Sequence, residues 1–207
     1  DVAVLMLTHV NYRDGSVHDM AELTRAAHDA GALVIWDLAH SAGVMPLDLA
    51  GCDADFAIGC GYKFLNGGPG APAFLYVASR LQAKLQNPLQ GWMGHRQPFA
   101  FEPEYAPDVG INQLQTGTPC ILSMSALDAA LSCFEGLTAI QLREKSLALS
   151  EMFISLLEED PTCESLILVS PREPQHRGAQ LSFSHSDAFP ISQALIEAGV
   201  IVDFRAP

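Results

Sequence analysis

The chain has 207 residues, with 11 lysines and arginines against 24 aspartates and glutamates, which gives a formal net charge of −13. So acidic a surface disfavours nucleic-acid binding, because phosphates need cationic partners. Hydrophobic residues make up 49% and charged residues 17%, a composition that is typical of a protein with a buried core and excludes intrinsic disorder. No apolar run approaches the roughly 20 residues of a membrane span, and the five scattered cysteines favour a reducing, cytoplasmic location.

Short apolar runs alternate with segments of helical period along the first half of the chain. A strand that ends at Thr8 precedes a helix over about residues 20–30, and a second strand ends at Asp37. A third strand begins at Phe56 and leads into Lys63. This alternation is typical of a buried parallel sheet covered by helices.

A change of pattern follows the third strand. A fourth strand, over 73–77, comes after a turn too short for a helical crossover, so we expect it to run antiparallel. The stretch 87–119 is rich in proline, glycine and aromatic residues and has no clear period, which predicts an ordered functional loop. Pro119 suits the first turn of a helix that runs to about Phe134, with Thr118 as its cap.

The last third predicts a long helix and a smaller α+β unit. Thr138 begins a helix to about Glu159, and we expect its apolar stripe to be core; the stripe consists of Leu142, Leu149, Phe153 and Leu156. Beyond it, the pattern predicts strands over 166–169 and 180–184, a helix over 191–198 and a strand over 200–204.

Polar side chains stand where the first three strands end. Taken singly, Thr8 reads as a helix cap, Asp37 as a turn residue and Lys63 as a solvated charge. Together they lie at the carboxyl ends of strands, where open α/β sheets bind ligands. His40 follows Asp37 by three residues, and Tyr62 precedes Lys63 in a glycine-rich stretch. A fixed carboxylate can hold a pyridine nitrogen protonated, and a partly desolvated lysine can form a Schiff base.

Three motifs carry a resemblance to a known family. They are Asp-Leu-Ala-His-Ser-Ala-Gly at 37–43, Tyr-Lys-Phe-Leu-Asn-Gly-Gly-Pro-Gly at 62–70 and Gly-Trp-Met-Gly-His at 91–95. With these motifs the chain resembles the kynureninase family over nearly all of its length. The resemblance implies an α/β, aspartate-aminotransferase-like fold (fold type I): a three-layer αβα large domain with a mostly parallel sheet. Residues 1–135 would be the C-terminal half of this cofactor-binding domain, and 136–207 the connecting helix and part of a small α+β domain.

The resemblance also implies an activity and a set of site residues. Lys63 would form an imine with pyridoxal 5'-phosphate, Asp37 would pair with the pyridinium nitrogen, and Tyr62 would bind the phosphate. Thr8 and His40 would line the cofactor. Trp92 and Thr118 would reach the phosphate side across the interface of a homodimer with a shared active site. The implied reaction is hydrolysis of the Cβ–Cγ bond of L-kynurenine to anthranilate and L-alanine, a step of tryptophan catabolism.

Some positions depart from the family or refine it. Met93 stands where an aromatic residue is common. Gly117-Thr118 matches many bacterial members that favour L-kynurenine over its 3-hydroxy derivative. Arg205 is not the family's substrate-carboxylate arginine, which we expect beyond residue 207. The start without methionine and the abrupt end suggest an excerpt that lacks both termini, and we expect no useful activity from it alone.

Other interpretations remain open. No His/Cys spacing of a metal site occurs, so we expect no metal. The chain could instead be another fold type I enzyme, such as a cysteine desulfurase or a class V aminotransferase. A desulfurase usually carries histidine just before its lysine and glutamine at the position of His40, so Tyr62 and His40 argue against it. A non-catalytic fragment that keeps the fold for dimerisation is the third possibility, and the retained Lys63 argues against it.

Overall fold

The computed structural model describes residues 2–206. Six strands are present: β1 Val4–Thr8, β2 Leu33–Asp37, β3 Phe56–Cys60, β4 Ala73–Val77, β5 Ile167–Leu168 and β6 Phe183–Ser184. The α-helices are α1 Met20–Asp29, α2 Ser79–Gln82, α3 Ile121–Leu131, α4 Ala139–Glu159 and α5 Ala188–Glu197. Short 3-10 segments occur at Trp92–Gly94, Gly110–Leu114, Ser132–Phe134, Pro161–Cys163 and Pro174–His176.

The main sheet has the order β1-β2-β3-β4. The first three strands are parallel, and β4 runs antiparallel to β3, which confirms the direction predicted from the short turn. In the register, Thr8 pairs with Asp37, and Asp37 pairs with Ile58. The carboxyl ends of the three parallel strands therefore meet at one edge of the sheet.

The core lies between this sheet and α1. Val34, Trp36 and Ala57 are fully buried and cluster with Met20 and Ala27 of the helix. Since burying a valine or methionine side chain contributes about 1.5–3 kcal/mol, this packing stabilises the sheet against α1. Asp19 is the N-cap residue of α1, and its carboxylate accepts the Glu22 N–H at 2.8 Å, so the helix begins at Met20 as predicted.

The opposite face of the sheet differs. Its side chains alternate with the buried ones and remain exposed; they include Val4, Met6, Ile58 and Leu75. Residues 2–206 thus leave an apolar sheet face largely uncovered. Within the same residues no single helix is long and apolar enough to cross a membrane, although helices 121–134 and 139–159, bent by 78°, pass that test as a pair.

Two helix starts have different outcomes. Thr138 caps α4 as predicted: its hydroxyl accepts the Gln141 N–H at 3.2 Å, and the Gln141 side chain accepts the Thr138 N–H at 2.9 Å. The predicted cap at Thr118 is wrong, because α3 begins at Ile121 and Cys120 is its N-cap residue. Thr118 precedes a proline, which favours extended backbone and delays the helix beyond reach of the Thr118 hydroxyl.

Two further predictions for the last third are wrong. The α4 stripe is not core: Leu149, Phe153 and Leu156 are 49%, 49% and 58% exposed, and the buried residues of the helix are Ser150 and Ile154. Too little of the described chain packs against that face to cover it. Residues 200–204 form no strand, since no neighbouring strand pairs with them within 2–206. The irregular course predicted for 87–119 is confirmed, apart from short 3-10 turns. The division at residues 135 and 136 stays a prediction.

Candidate active site

Four residues predicted for the site gather at the carboxyl edge of the sheet. Thr8 and Asp37 are paired neighbours at the ends of β1 and β2. Lys63 comes three residues after the end of β3, and His40 lies in the turn after β2. All four are half-buried, a level of exposure that allows contact with a ligand while restricting side-chain motion. The parallel register therefore brings together residues that are up to 55 positions apart, from Thr8 to Lys63.

The Asp37 carboxylate is oriented by its own turn. Oδ1 accepts the Ala39 N–H at 2.8 Å, and the Leu38 N–H donates to the Ile58 carbonyl oxygen at 2.8 Å. No hydrogen bond within residues 2–206 engages Oδ2. One oxygen of this carboxylate is fixed and the other is available to an N–H donor, which is the arrangement that a protonated ring nitrogen requires.

Lys63 lies in a compact loop. Its carbonyl oxygen accepts the Asn66 N–H at 2.9 Å, and the Gly67 N–H donates to the Gly61 carbonyl oxygen at 2.9 Å. A Cβ at Gly61 would lie 2.7 Å from the Pro72 carbonyl oxygen, so the close approach of the two chain segments requires glycine there. The ammonium nitrogen of Lys63 is 5.3 Å from the ring centroid of Tyr62, which is itself half exposed.

The pKa of His40 depends on burial and on the charged groups around it. Burial and the Lys63 charge lower the pKa of the His40 imidazole, Asp37 opposes this shift, and the charge of Arg205 adds to it weakly. Arg205 itself lies with its guanidinium carbon 5.8 Å from the Tyr12 ring centroid and donates to Asp203 at 2.5 Å.

The residues present fit a phosphorylated pyridine aldehyde as ligand. Lysine supplies an amine for an aldehyde, the open Oδ2 of Asp37 accepts from a ring N–H, and Thr8, His40 and Tyr62 add polar contacts around them. No group of three or more metal-ligating side chains occurs in the part of the chain that the structure describes. The lysine amine and the open carboxylate oxygen of Asp37 point to an organic cofactor held by a covalent bond.

Two predicted site residues lie elsewhere in the chain. Trp92 is 46% exposed and packs edge-on against Phe99 with ring centroids 5.7 Å apart. Thr118 is exposed just before α3. Their segments touch each other, because a Cβ at Gly91 would lie 1.8 Å from the Thr116 carbonyl oxygen. Within residues 2–206 no hydrogen bond joins Trp92 or Thr118 to the residues at the sheet edge.

The four residues at the sheet edge form one wall rather than an enclosed pocket. A groove of about 480 Å³ lies beside them, between α4 and the loops that contain Gly43 and Phe64, but none of the predicted site residues lines it. Ligand pockets usually bury most of a small molecule. Further surface is needed to enclose a ligand at the sheet edge.

Sequence reasoning assigned no role to two buried residues, His9 and Arg177. His9 is buried directly after Thr8. Arg177 is fully buried, pairs with Glu151 of α4, and donates to the carbonyl oxygens of Pro171 and Arg172 at 2.7 and 2.8 Å. The only available signal was the position of His9 beside a strand end, because the partners of Arg177 are set by tertiary contacts.

Known proteins resemble this chain in sequence and in fold. Residues 142–207 match the family model of the kynureninase C-terminal domain. A kynureninase of Burkholderia mallei (strain SAVP1) is 49% identical over all 207 residues, which cover 50% of that protein. The chain thus spans about half the length of the curated relatives it matches.

Solved structures at low identity share the fold. The cysteine desulfurase CsdA of Escherichia coli has a TM-score of 0.77 at 24% identity, with 96% of this chain and 47% of that chain covered. A mutant of C-DES with glycine covalently linked to its PLP cofactor has a TM-score of 0.80 at 20% identity, with 96% and 52% covered. These similarities establish the predicted fold type I architecture.

Proposed function

We propose that the chain, which is 49% identical over its whole length to curated kynureninases, belongs to that family and carries the lysine-bearing wall of an active site that hydrolyses L-kynurenine to anthranilate and L-alanine. The observation that carries this proposal is the parallel register that sets Thr8 and Asp37 side by side, with Lys63 at the end of the adjacent strand. The similarity to kynureninases covers the whole chain, including every residue of this edge. The proposed class is a hydrolase that depends on pyridoxal phosphate.

Pyridoxal phosphate supplies an electron sink that stabilises negative charge at the α-carbon of an amino-acid substrate. Lys63 would hold it covalently through Nζ and, when free, would accept and return protons at the substrate. Asp37 would hold a proton on the pyridine nitrogen through the oxygen that its own turn leaves open. Because the Ala39 N–H fixes the other oxygen, the carboxylate needs little reorganisation to do so.

The remaining residues would bind and orient. His40, whose pKa is lowered by burial and by Lys63, is neutral near pH 7 and can pack against a cofactor ring without adding a second positive charge. Tyr62 would donate its phenol to the phosphate, and Thr8 would support the ring from β1. We also propose that Trp92 and Thr118 reach the site of a partner subunit in a homodimer, since in this chain they are exposed and apart from the sheet edge.

The composition supports the rest of the proposal. The five cysteines are free in the described chain, which agrees with a cytoplasmic protein. The charge of −13 disfavours a nucleic-acid partner, and a small amino acid is the proposed substrate.

Product analysis tests the proposed function directly. The full-length protein that carries this chain is supplied with pyridoxal phosphate, dithiothreitol to reduce any persulfide to sulfide, and either L-kynurenine or L-cysteine. We expect equal amounts of anthranilate and alanine from L-kynurenine, and no sulfide from cysteine. Sulfide and alanine from cysteine alone would identify a desulfurase. Binding of the cofactor without either product would favour a non-catalytic member of the fold.

A further inference from the structure

His9 is tied to Asp37 through the backbone. The His9 N–H donates to the Asp37 carbonyl oxygen at 2.9 Å, and the His9 carbonyl oxygen accepts the His18 N–H at 3.0 Å. His9 is therefore held from both sides at the point where β1 ends. Its N–H adds one bond to the β1–β2 pairing, from the residue that follows β1 to the last residue of β2. The peptide group of Asp37 cannot shift without moving His9.

The ring of His9 packs on the residue before Asp37. Its centroid is 6.2 Å from that of Trp36, and the two planes meet at 82°, an edge-to-face contact. Both residues are buried, at 7% and 0% exposure. Edge-to-face aromatic pairs are favourable and directional, so the His9 ring restricts how the indole sits. Trp36 and Asp37 thus have one neighbour that contacts both.

The surroundings keep His9 uncharged. Burial, with smaller effects of the charges on His18 and Arg143, lowers the pKa of the His9 imidazole to about 4. Its Nδ1 makes no hydrogen bond within residues 2–206. The ring therefore acts through shape and packing rather than through charge or a proton.

We propose that His9 is a positioning residue for Asp37, whose carboxylate it holds at a fixed place on the sheet edge through the Asp37 peptide and the Trp36 ring. This inference rests on the proposed function, in which the Asp37 carboxylate binds the pyridine nitrogen of the cofactor. His9 itself need not touch substrate or cofactor. Its role is to keep the Asp37 carboxylate from moving relative to Lys63. Asp37 directly follows the buried Trp36 in the chain.

The test compares two substitutions, each of which removes one contact of the Trp36 indole. In the full-length protein, His9→Ala removes the ring beside Asp37. Thr24→Ala removes the hydroxyl that accepts the Trp36 Nε1–H at 3.0 Å, on the helix side of the indole. Both variants loosen Trp36, but only the first removes a side chain from the residue that binds the Asp37 peptide. The free energy of unfolding is measured for each, so that their losses of stability can be compared.

The readout is the dissociation constant of pyridoxal phosphate, followed with the pH dependence of its absorption band. We expect His9→Ala to weaken binding about tenfold, as when an outer partner of a ligand-binding group is lost. Thr24→Ala should change the dissociation constant less than twofold, which is roughly the scatter of such measurements. The pH at which the band changes should move only in His9→Ala, because the band reports the ring-nitrogen environment that Asp37 controls. Equal effects of the two variants would overturn the proposal.

Shape-matched substitutions complete the experiment. His9→Phe keeps the aromatic edge against Trp36 and should bind the cofactor as the wild type does, whereas His9→Leu should bind it more weakly. If His9→Ala does not fold, this pair decides: equal binding by His9→Phe and His9→Leu overturns the proposal. The readout needs no turnover, so failure of kynurenine cleavage would count against the proposed function without deciding the role of His9.

Discussion

The sheet edge and the 87–119 segment show two ways in which a site can be built. At the sheet edge, Thr8 and Asp37 are placed by strand register, and Lys63 follows β3 in a loop with its own hydrogen bonds. In the 87–119 segment, Trp92 is exposed in a short 3-10 turn, and Thr118 is exposed soon after. The first group converges within the described chain, whereas no hydrogen bond there joins Trp92 or Thr118 to it.

This difference distinguishes the residues that one chain positions by itself from those that, we propose, acquire a role only in an assembly. Parallel strands place their ends within hydrogen-bonding distance of one another, so three polar residues converge without any partner. Surface side chains such as Trp92 gain a defined role only where another surface meets them. Perturbations at the sheet edge should therefore affect chemistry, and perturbations in the segment should affect specificity or assembly.

Lys63→Ala should have the largest effect. We expect it to reduce turnover of L-kynurenine by at least about 10³-fold, because loss of both covalent attachment and proton transfer removes two large contributions. Steady-state kinetics of the full-length protein measure it. Lys84→Ala is the matched control, since Lys84 is exposed at the other edge of the sheet, where it lines a cavity with Asp55 and Arg80. Normal turnover by Lys63→Ala would remove the sheet edge from the mechanism.

Asp37→Asn should follow. The amide keeps the size of the side chain but cannot hold the pyridine nitrogen protonated, so we expect kcat to fall by about 10²–10³-fold. The free energy of unfolding should change little, because the Ala39 N–H can donate to the amide oxygen as it does to Oδ1. A kcat within a few-fold of the wild-type value, measured with saturating cofactor, would show that Asp37 plays another part.

The buried histidine beside the site should make stability depend on pH. The pKa of His9 is about 4 when folded, against 6.5 for a free imidazole, so the unfolded chain binds the extra proton first. As pH falls from about 6.5 to about 4, the folded protein should lose about 3 kcal/mol through this group. Denaturant titrations of wild type and His9→Phe over this range measure the difference. Identical pH profiles for the two proteins would show that His9 is not buried as described.

Substitution of Gly117 should alter the preference between substrates, with a smaller effect than the changes above. Nothing lies within 4 Å of a Cβ added there, so a serine fits without strain. We expect the wild type to prefer L-kynurenine over 3-hydroxykynurenine in kcat/KM, by about 1–3 kcal/mol if one unpaired hydroxyl decides it. Gly117→Ser should narrow that preference about tenfold, because the new hydroxyl can pair with that of the substrate. A ratio unchanged by the substitution would place specificity elsewhere, with Met93 as the next residue to vary.

The sheet was predictable because its pattern is local. Apolar runs that end in Thr8 and Asp37 identify buried strands, and the short turn before β4 fixes its direction. Two of the three failures came where tertiary context decides. The apolar stripe of α4 is half exposed because little of the described chain packs on it, and residues 200–204 lack a strand to pair with. Thr118 failed as a cap because the proline after it delays the helix.

The site was predictable to a similar extent. Strand ends placed Asp37 and Lys63 correctly at one edge, since the carboxyl ends of parallel strands lie on the same side of a sheet. The orientation of the Asp37 carboxylate and the contacts of His9 were not predictable, because they depend on single hydrogen bonds and on packing against Trp36. Which surface Trp92 meets in an assembly also lies outside what one sequence can specify.

Covalent trapping identifies the lysine that holds the cofactor. The full-length protein is incubated with pyridoxal phosphate, reduced with borohydride, digested and analysed by mass spectrometry. We expect the added mass of the reduced cofactor on the peptide that contains Lys63, with Lys84 and Lys145 unmodified at stoichiometric cofactor. Cofactor mass on either of those lysines, or on none of the three, would contradict the assignment of the sheet edge as the cofactor site.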